Sequence, residues 1–72
     1  MSKIVDARGL SCPQPVLLTL NEIKKINKGE IIVLVDTDTS KENVSRAVTA
    51  QRWQVKSVES EGTGYRITVS KE

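Results

Sequence analysis

With 72 residues, the chain can bury one modest core but has no room for a deep substrate cavity, so a single domain over residues 1–72 is expected. Eleven Lys and Arg against nine Asp and Glu leave a formal charge of +2, too small to mark a nucleic-acid binder. There is no histidine and only one cysteine, which excludes Cys-His and Ser-His catalysis, an internal disulfide and nearly every zinc site.

Trp53 and Tyr65 are the only aromatic residues, so aliphatic side chains must build the core. The amino-terminal Met1–Asp6 segment has no long apolar region of the signal-peptide kind, and no run approaches the ~20 apolar residues of a membrane span. A soluble cytoplasmic protein without metal or cofactor is expected.

Taken in order, Lys3–Ala7 reads as a short strand and Arg8-Gly9-Leu10-Ser11 as a connection of ordinary βα length, with Gly9 supplying backbone freedom. From Pro13 to Asn27 the pattern is helical. Val16, Leu17, Leu20 and Ile23 share one face, Ile26 lies at its edge and Leu18 falls on the polar side. Lys24, Lys25 and Lys28 crowd the end of this helix, and Gly29 is expected to stop it.

Glu30–Asp36 is the strongest strand signal, an apolar run suited to a central strand, with Ile32 and Leu34 directed away from the helices. Thr37–Ser40 turns into a second helix, for which Thr39 and Glu42 have capping-box spacing. Val44, Ala47, Val48 and Gln51 line its inner face, it ends near Arg52, and Trp53 closes over the core. Gln54–Glu61 and Tyr65–Ser70 are two strands joined at Gly62-Thr63-Gly64. Tyr65, Ile67 and Val69 alternate with polar residues and face inward. The order is β-α-β-α-β-β.

The chemistry concentrates in Leu10-Ser11-Cys12-Pro13-Gln14-Pro15-Val16. Proline loses nothing in the first turn of a helix, where backbone N–H groups have no internal partner, so Pro13 and Pro15 read as first-turn residues and Cys12 as the residue at or before the cap. Free amides and the positive end of the helix dipole favour an anion there, which lowers the thiol pKa and makes the sulfur nucleophilic near neutral pH. The competing reading of Cys12 is a small buried hydrophobe.

Right-handed β-α-β crossovers put both helices on one face of the sheet and make the first two strands parallel. Their carboxyl ends then share an edge, which places Cys12 on the same side as Asp36, Asp38 and Thr39. Asp36 and Asp38 read either as a functional pair or as helix caps, and capping accounts for them fully.

Asp6-Ala7-Arg8-Gly9-Leu10-Ser11-Cys12-Pro13-Gln14-Pro15 resembles the D-x-R-G-x-x-C-P-x-P signature of the TusA/SirA/YedF family of small sulfur-carrier proteins. Glu42–Arg46 and Gly64–Ile67 are similar to the amino-terminal domain of the YedF branch, and the likeness spans the chain. The resemblance implies an α+β fold: a two-layer sandwich with a mixed four-stranded sheet in the order 1-2-4-3, the last strand antiparallel, and both helices on one face. For function it implies that Cys12 accepts a sulfane sulfur as a persulfide from a cysteine desulfurase or another donor and hands it to a downstream acceptor protein, as in tRNA thiolation or selenium and sulfur metabolism. In that frame Pro13 and Pro15 fix Cys12 at the helix start, while Asp6, Arg8 and Gly9 shape the loop. Such exchange needs an exposed, acidified thiol and no general base, so the missing histidine is in keeping with a sulfurtransferase of the relay kind.

Arg8 either stabilises the sulfur anion or is simply solvated. Two further function classes stand beside the carrier: a non-catalytic protein-binding or regulatory module in which Cys12 is incidental, and an RNA binder using Lys24, Lys25, Lys28, Arg46, Arg52 and Lys56. Interspersed acidic residues favour a solvated surface over a phosphate track for those cations.

Overall fold

The computed structural model describes residues 2–10 and 14–71, so Ser11, Cys12 and Pro13 of the motif lie outside the described residues. The chain runs β1 (Ser2–Asp6), α1 (Gln14–Ile26), β2 (Gly29–Val35), α2 (Asp38–Ala50), β3 (Gln54–Glu61) and β4 (Gly64–Lys71). Its strands form one mixed sheet in the order β1-β2-β4-β3. β1 is parallel to β2, and β4 is antiparallel to both β2 and β3. The helices pack on each other, with α1 over β1 and β2 and α2 over β3 and β4. This is the expected α+β two-layer sandwich with both helices on one face.

Strand β2 carries the core because it is flanked on both sides. Ile31, Val33 and Val35 are fully buried under the helices, while Ile32 and Leu34 are half-buried on the opposite face. Register brings Val33 beside Val5 and Ile67, and Ile31 beside Val69, so the inward residues of three strands form continuous rows. Val44 and Val48 of α2 cover these rows, and Trp53 seals the end at 2% exposure, as its position after the helix predicts. A bulge between Val55 and Ser57 shifts the β3 register, a feature no local pattern announced.

On α1, Val16, Leu20, Ile23 and Ile26 turn to the core as expected, but Pro15 and Thr19 are buried with Ile23, and Leu18, not Leu17, packs against the core. Thr19 can take the central position because its hydroxyl donates to the Pro15 carbonyl at 2.8 Å, leaving no polar atom unpaired. At about 100° per residue, Leu18 and Leu20 then flank Thr19, while Leu17 points to the far side and is 48% exposed. Helix α1 ends through Asn27, which takes a left-handed φ of 61°; Gly29, expected to be the stop, already begins β2. Asparagine tolerates that conformation, so it suffices as the terminator.

Helix α2 starts earlier than the Thr39 cap implies. Thr37 is extended (φ −136°, ψ 155°) and its side chain accepts from the Ser40 backbone N–H at 3.0 Å, making it the cap. Ser40 consequently joins Val44 and Val48 on the buried stripe, and Gln51 is exposed at the carboxyl cap rather than inward. The helix is left through Arg52, at φ 68°, and the Trp53 N–H donates to the Val48 carbonyl at 2.9 Å. The β3–β4 hairpin turns on Gly62 and Thr63 alone, since Glu61 pairs with Gly64.

Thr37→Ala should cost about 1 kcal/mol of stability, the usual worth of an amino-terminal cap. Thr39→Ala should stay within about 0.5 kcal/mol, as exposed substitutions do. Urea unfolding followed by Trp53 fluorescence checks both, and equal losses would contradict the assignment of the cap.

Candidate functional site

The parallel pairing of β1 and β2 sets Asp6 opposite Leu34. The segment leaving β1 therefore emerges beside the segment leaving β2, and both lead toward helix starts at the same edge of the sheet. Among the sequence-selected residues, Asp6, Arg8, Gly9, Pro15, Asp36, Asp38 and Thr39 are described here; Cys12 and Pro13 lie outside the described residues.

Asp6 and Arg8 form a bidentate ion pair. Arg8 donates from Nε to Oδ1 at 2.9 Å and from Nη2 to Oδ2 at 2.8 Å, and its backbone N–H also reaches Oδ1 at 3.1 Å. A planar guanidinium fork matches a carboxylate in this geometry. The hydrogen bonds from the Arg8 side chain and backbone lower the Asp6 carboxyl from 3.8 to about 2, and the same pair raises Arg8. The pair closes a short ring within the segment that follows β1.

The next two residues are held as well. Gly9 adopts φ 79°, which glycine reaches without strain, and its N–H donates to Asp36 Oδ2 at 2.8 Å across 27 residues of sequence. The Leu10 N–H points back to the Ala7 carbonyl at 3.4 Å. Asp36 is itself fixed by β4. A Cβ on Gly64 would collide with the Val35 carbonyl oxygen and come within 2.9 Å of Asp36 Cα, so only glycine permits this approach.

Neither Asp36 nor Asp38 caps α2, contrary to the capping expectation, because Thr37 holds that position. Asp38 instead accepts a hydrogen bond from the Tyr65 hydroxyl. Its carboxylate also lies 3.8 Å from Lys41 Nζ, which sits 4.5 Å from the Tyr65 ring centroid. The bond to Asp38 followed by desolvation raises the Tyr65 pKa, since removing the phenol proton would leave two negative oxygens together. Thr39 is exposed on the first turn of α2.

Pro15 is fully buried in the first turn of α1. That turn contains no acidic residue, whereas α2 begins on Asp38. The positive end of the α1 dipole is therefore not offset from within the helix, which favours an anion just ahead of Gln14. Among the described residues no group of three or more His, Cys, Asp or Glu is placed to hold a metal ion, and no helix is long and apolar enough to cross a membrane. Of the cations an RNA reading would use, Lys25 faces Glu22 at 3.7 Å and Lys56 faces Glu30 at 3.2 Å.

Sequence reasoning missed the Tyr65–Asp38 bond and the need for glycine at position 64, both contacts between segments distant along the chain. The hydroxyl and carboxylate types were visible, but their meeting depends on the β2–β4 register, which sets Tyr65 beside Val35.

Because the folded-state pKa of Asp6 is depressed, its pairing adds stability that is complete above the ordinary 3.8 and lost as pH falls through about 2. Arg8→Gln should return the Asp6 midpoint toward 3.8 in a carboxyl NMR titration. An unchanged midpoint would show that the ion pair does not control that carboxylate.

Comparison with known proteins bears on the family and the fold. Sulfur carrier protein TusA of Pseudomonas aeruginosa (strain PAO1) is 38% identical over 37 residues, 51% of this chain and 47% of that one, so the match spans about half of that relative. A putative sulfur carrier protein of Archaeoglobus fulgidus is 29% identical over 69 residues, 94% of each chain. The crystal structure of a SirA-like protein from Desulfitobacterium hafniense superposes with a TM-score of 0.86 at 26% identity, covering 97% of this chain and 96% of that one. The family model for sulfurtransferase TusA matches residues 3–71; with the shared fold, this places the chain in the TusA family.

Proposed function

We propose that the chain is a sulfur carrier in which Cys12 accepts a sulfane sulfur as a persulfide and passes it on. The observation that carries this reading is the family match over residues 3–71, joined to a helix that begins two residues after the single cysteine with no acid in its first turn. The Cys12 thiolate attacks the outer sulfur of a donor persulfide. A bond from Cys12 Sγ to that sulfur forms, the donor S–S bond breaks, and the donor departs as a thiolate. In the second step an acceptor nucleophile attacks the outer sulfur of the Cys12 persulfide, and Cys12 leaves as the thiolate that began the cycle. Neither step changes the net oxidation level or requires a base, in keeping with a chain that lacks histidine.

The partners in this reading are a cysteine desulfurase or another persulfide donor and a downstream acceptor protein, with the relay into tRNA thiolation or selenium and sulfur metabolism. A reducing cytoplasm would keep the lone thiol free, and residues 1–72 would act as a single domain. Leu10 and Leu17, 38% and 48% exposed, bracket the motif in sequence and are apolar surface that a donor or acceptor would cover.

Incubation with a cysteine desulfurase and cysteine should add the mass of one sulfur atom to the intact protein, and Cys12→Ser should abolish the gain. A protein that stays unmodified with active desulfurase, or a Cys12→Ser variant that still gains sulfur, would overturn the proposal.

A further inference from the structure

We propose that Asp36 is a positioning residue for the Cys12 loop, a reading that rests on the carrier role proposed above. Three consecutive amides lead toward the cysteine, and each is bonded: Arg8 to Asp6, Gly9 to Asp36 and Leu10 to the Ala7 carbonyl. Two of these acceptors belong to the same short segment as their donors and would move with it. The Ala7 N–H bonds to the Leu34 carbonyl of β2 at 2.8 Å, and beyond Ala7, among the described residues 8–10, it is Asp36, 27 residues away, that ties the loop to another element. It follows directly on β2, whose core side chains are fully buried, and the close approach of Gly64 restrains its backbone from the other side. The Gly9 amide therefore bonds to a carboxylate whose own position is set by β2 and β4 together.

The consequence for chemistry is geometric. Thiol-persulfide exchange depends on access to and alignment with the donor sulfur, and small misplacements of a reacting group are costly in rate. With Ala7 buried and bonded to Leu34, the chain beyond it could still pivot about Ala7; the Asp36 bond to Gly9 removes that freedom. The task requires an acceptor oxygen at this point rather than a negative charge, so asparagine should perform it and alanine should not.

The test uses full-length protein loaded by cysteine persulfide as a small-molecule donor, with sulfur gain followed by mass spectrometry, Gly9 amide hydrogen exchange by NMR, and thermal unfolding. Asp36→Ala should slow loading about tenfold or more and speed Gly9 exchange, while Asp36→Asn recovers most of both. Asp36→Ser, too short to span the bond, serves in place of the alanine variant should that fail to fold. Val48→Ala, which leaves a cavity in the core under α2, should lower thermal stability yet load at the wild-type rate. Wild-type loading by Asp36→Ala, failure of asparagine to rescue, or equal slowing in Val48→Ala would each overturn the assignment. Failure of the wild type to load would instead overturn the carrier reading, and Gly9 exchange would still decide whether Asp36 holds the loop.

Discussion

Parallel pairing between β1 and β2 is the constraint from which the site follows. In a parallel ladder both strands deliver their carboxyl ends to the same edge, and the crossover helix must return to that edge's opposite end before β2 can begin. With Ile4 beside Ile32 and Asp6 beside Leu34, residues 7–10 and 36–40 become neighbours although a whole helix separates them in sequence. An antiparallel arrangement would send Gly9 and Asp36 to opposite ends of the sheet. The bond between them is thus a direct product of topology, and the buried residues that hold β2 in register also hold the loop.

Charge at this edge is used mainly for shape. Asp6 is consumed by Arg8, Asp36 by the Gly9 amide and Asp38 by Tyr65 and Lys41. Individually such exposed pairs contribute little to stability. Their value lies in fixing backbone geometry where the chain passes from strand to helix without regular structure to guide it. The start of α1, by contrast, carries no acidic residue in its first turn, which leaves the helix dipole available to whatever anion stands before it. Carboxylates hold the frame, and the one helix start that follows the cysteine is kept free of them.

Much of this was legible in the residues, and the failures share a cause. Alternation in Tyr65, Ile67 and Val69, the apolar run through Ile31–Val35 and the helix-ending position of Trp53 each located an element or its buried side, because those signals are local and repeat. On α1 the apolar pattern finds Val16, Leu20, Ile23 and Ile26 but exchanges Leu17 for Leu18 and passes over Thr19, which enters the core by satisfying its own hydroxyl on Pro15. The cap of α2 was assigned to Thr39 on spacing, although Thr37 offers the same chemistry two residues earlier. Asp36 could be brought near the motif by topology, but its actual partner, a backbone amide, leaves no mark in side-chain chemistry.

Ionisation of one sulfur, that of Cys12 ahead of α1 in sequence, decides whether the chain can carry sulfur in the way proposed. Because the chain has a single cysteine, alkylation by iodoacetamide followed by mass spectrometry as a function of pH reports Cys12 alone. The account predicts a rate profile whose midpoint lies well below the value of about 8.5 for a free thiol, with a rapid plateau through neutral pH. A midpoint at or above about 8.5, or a thiol that reacts only after unfolding, would contradict it.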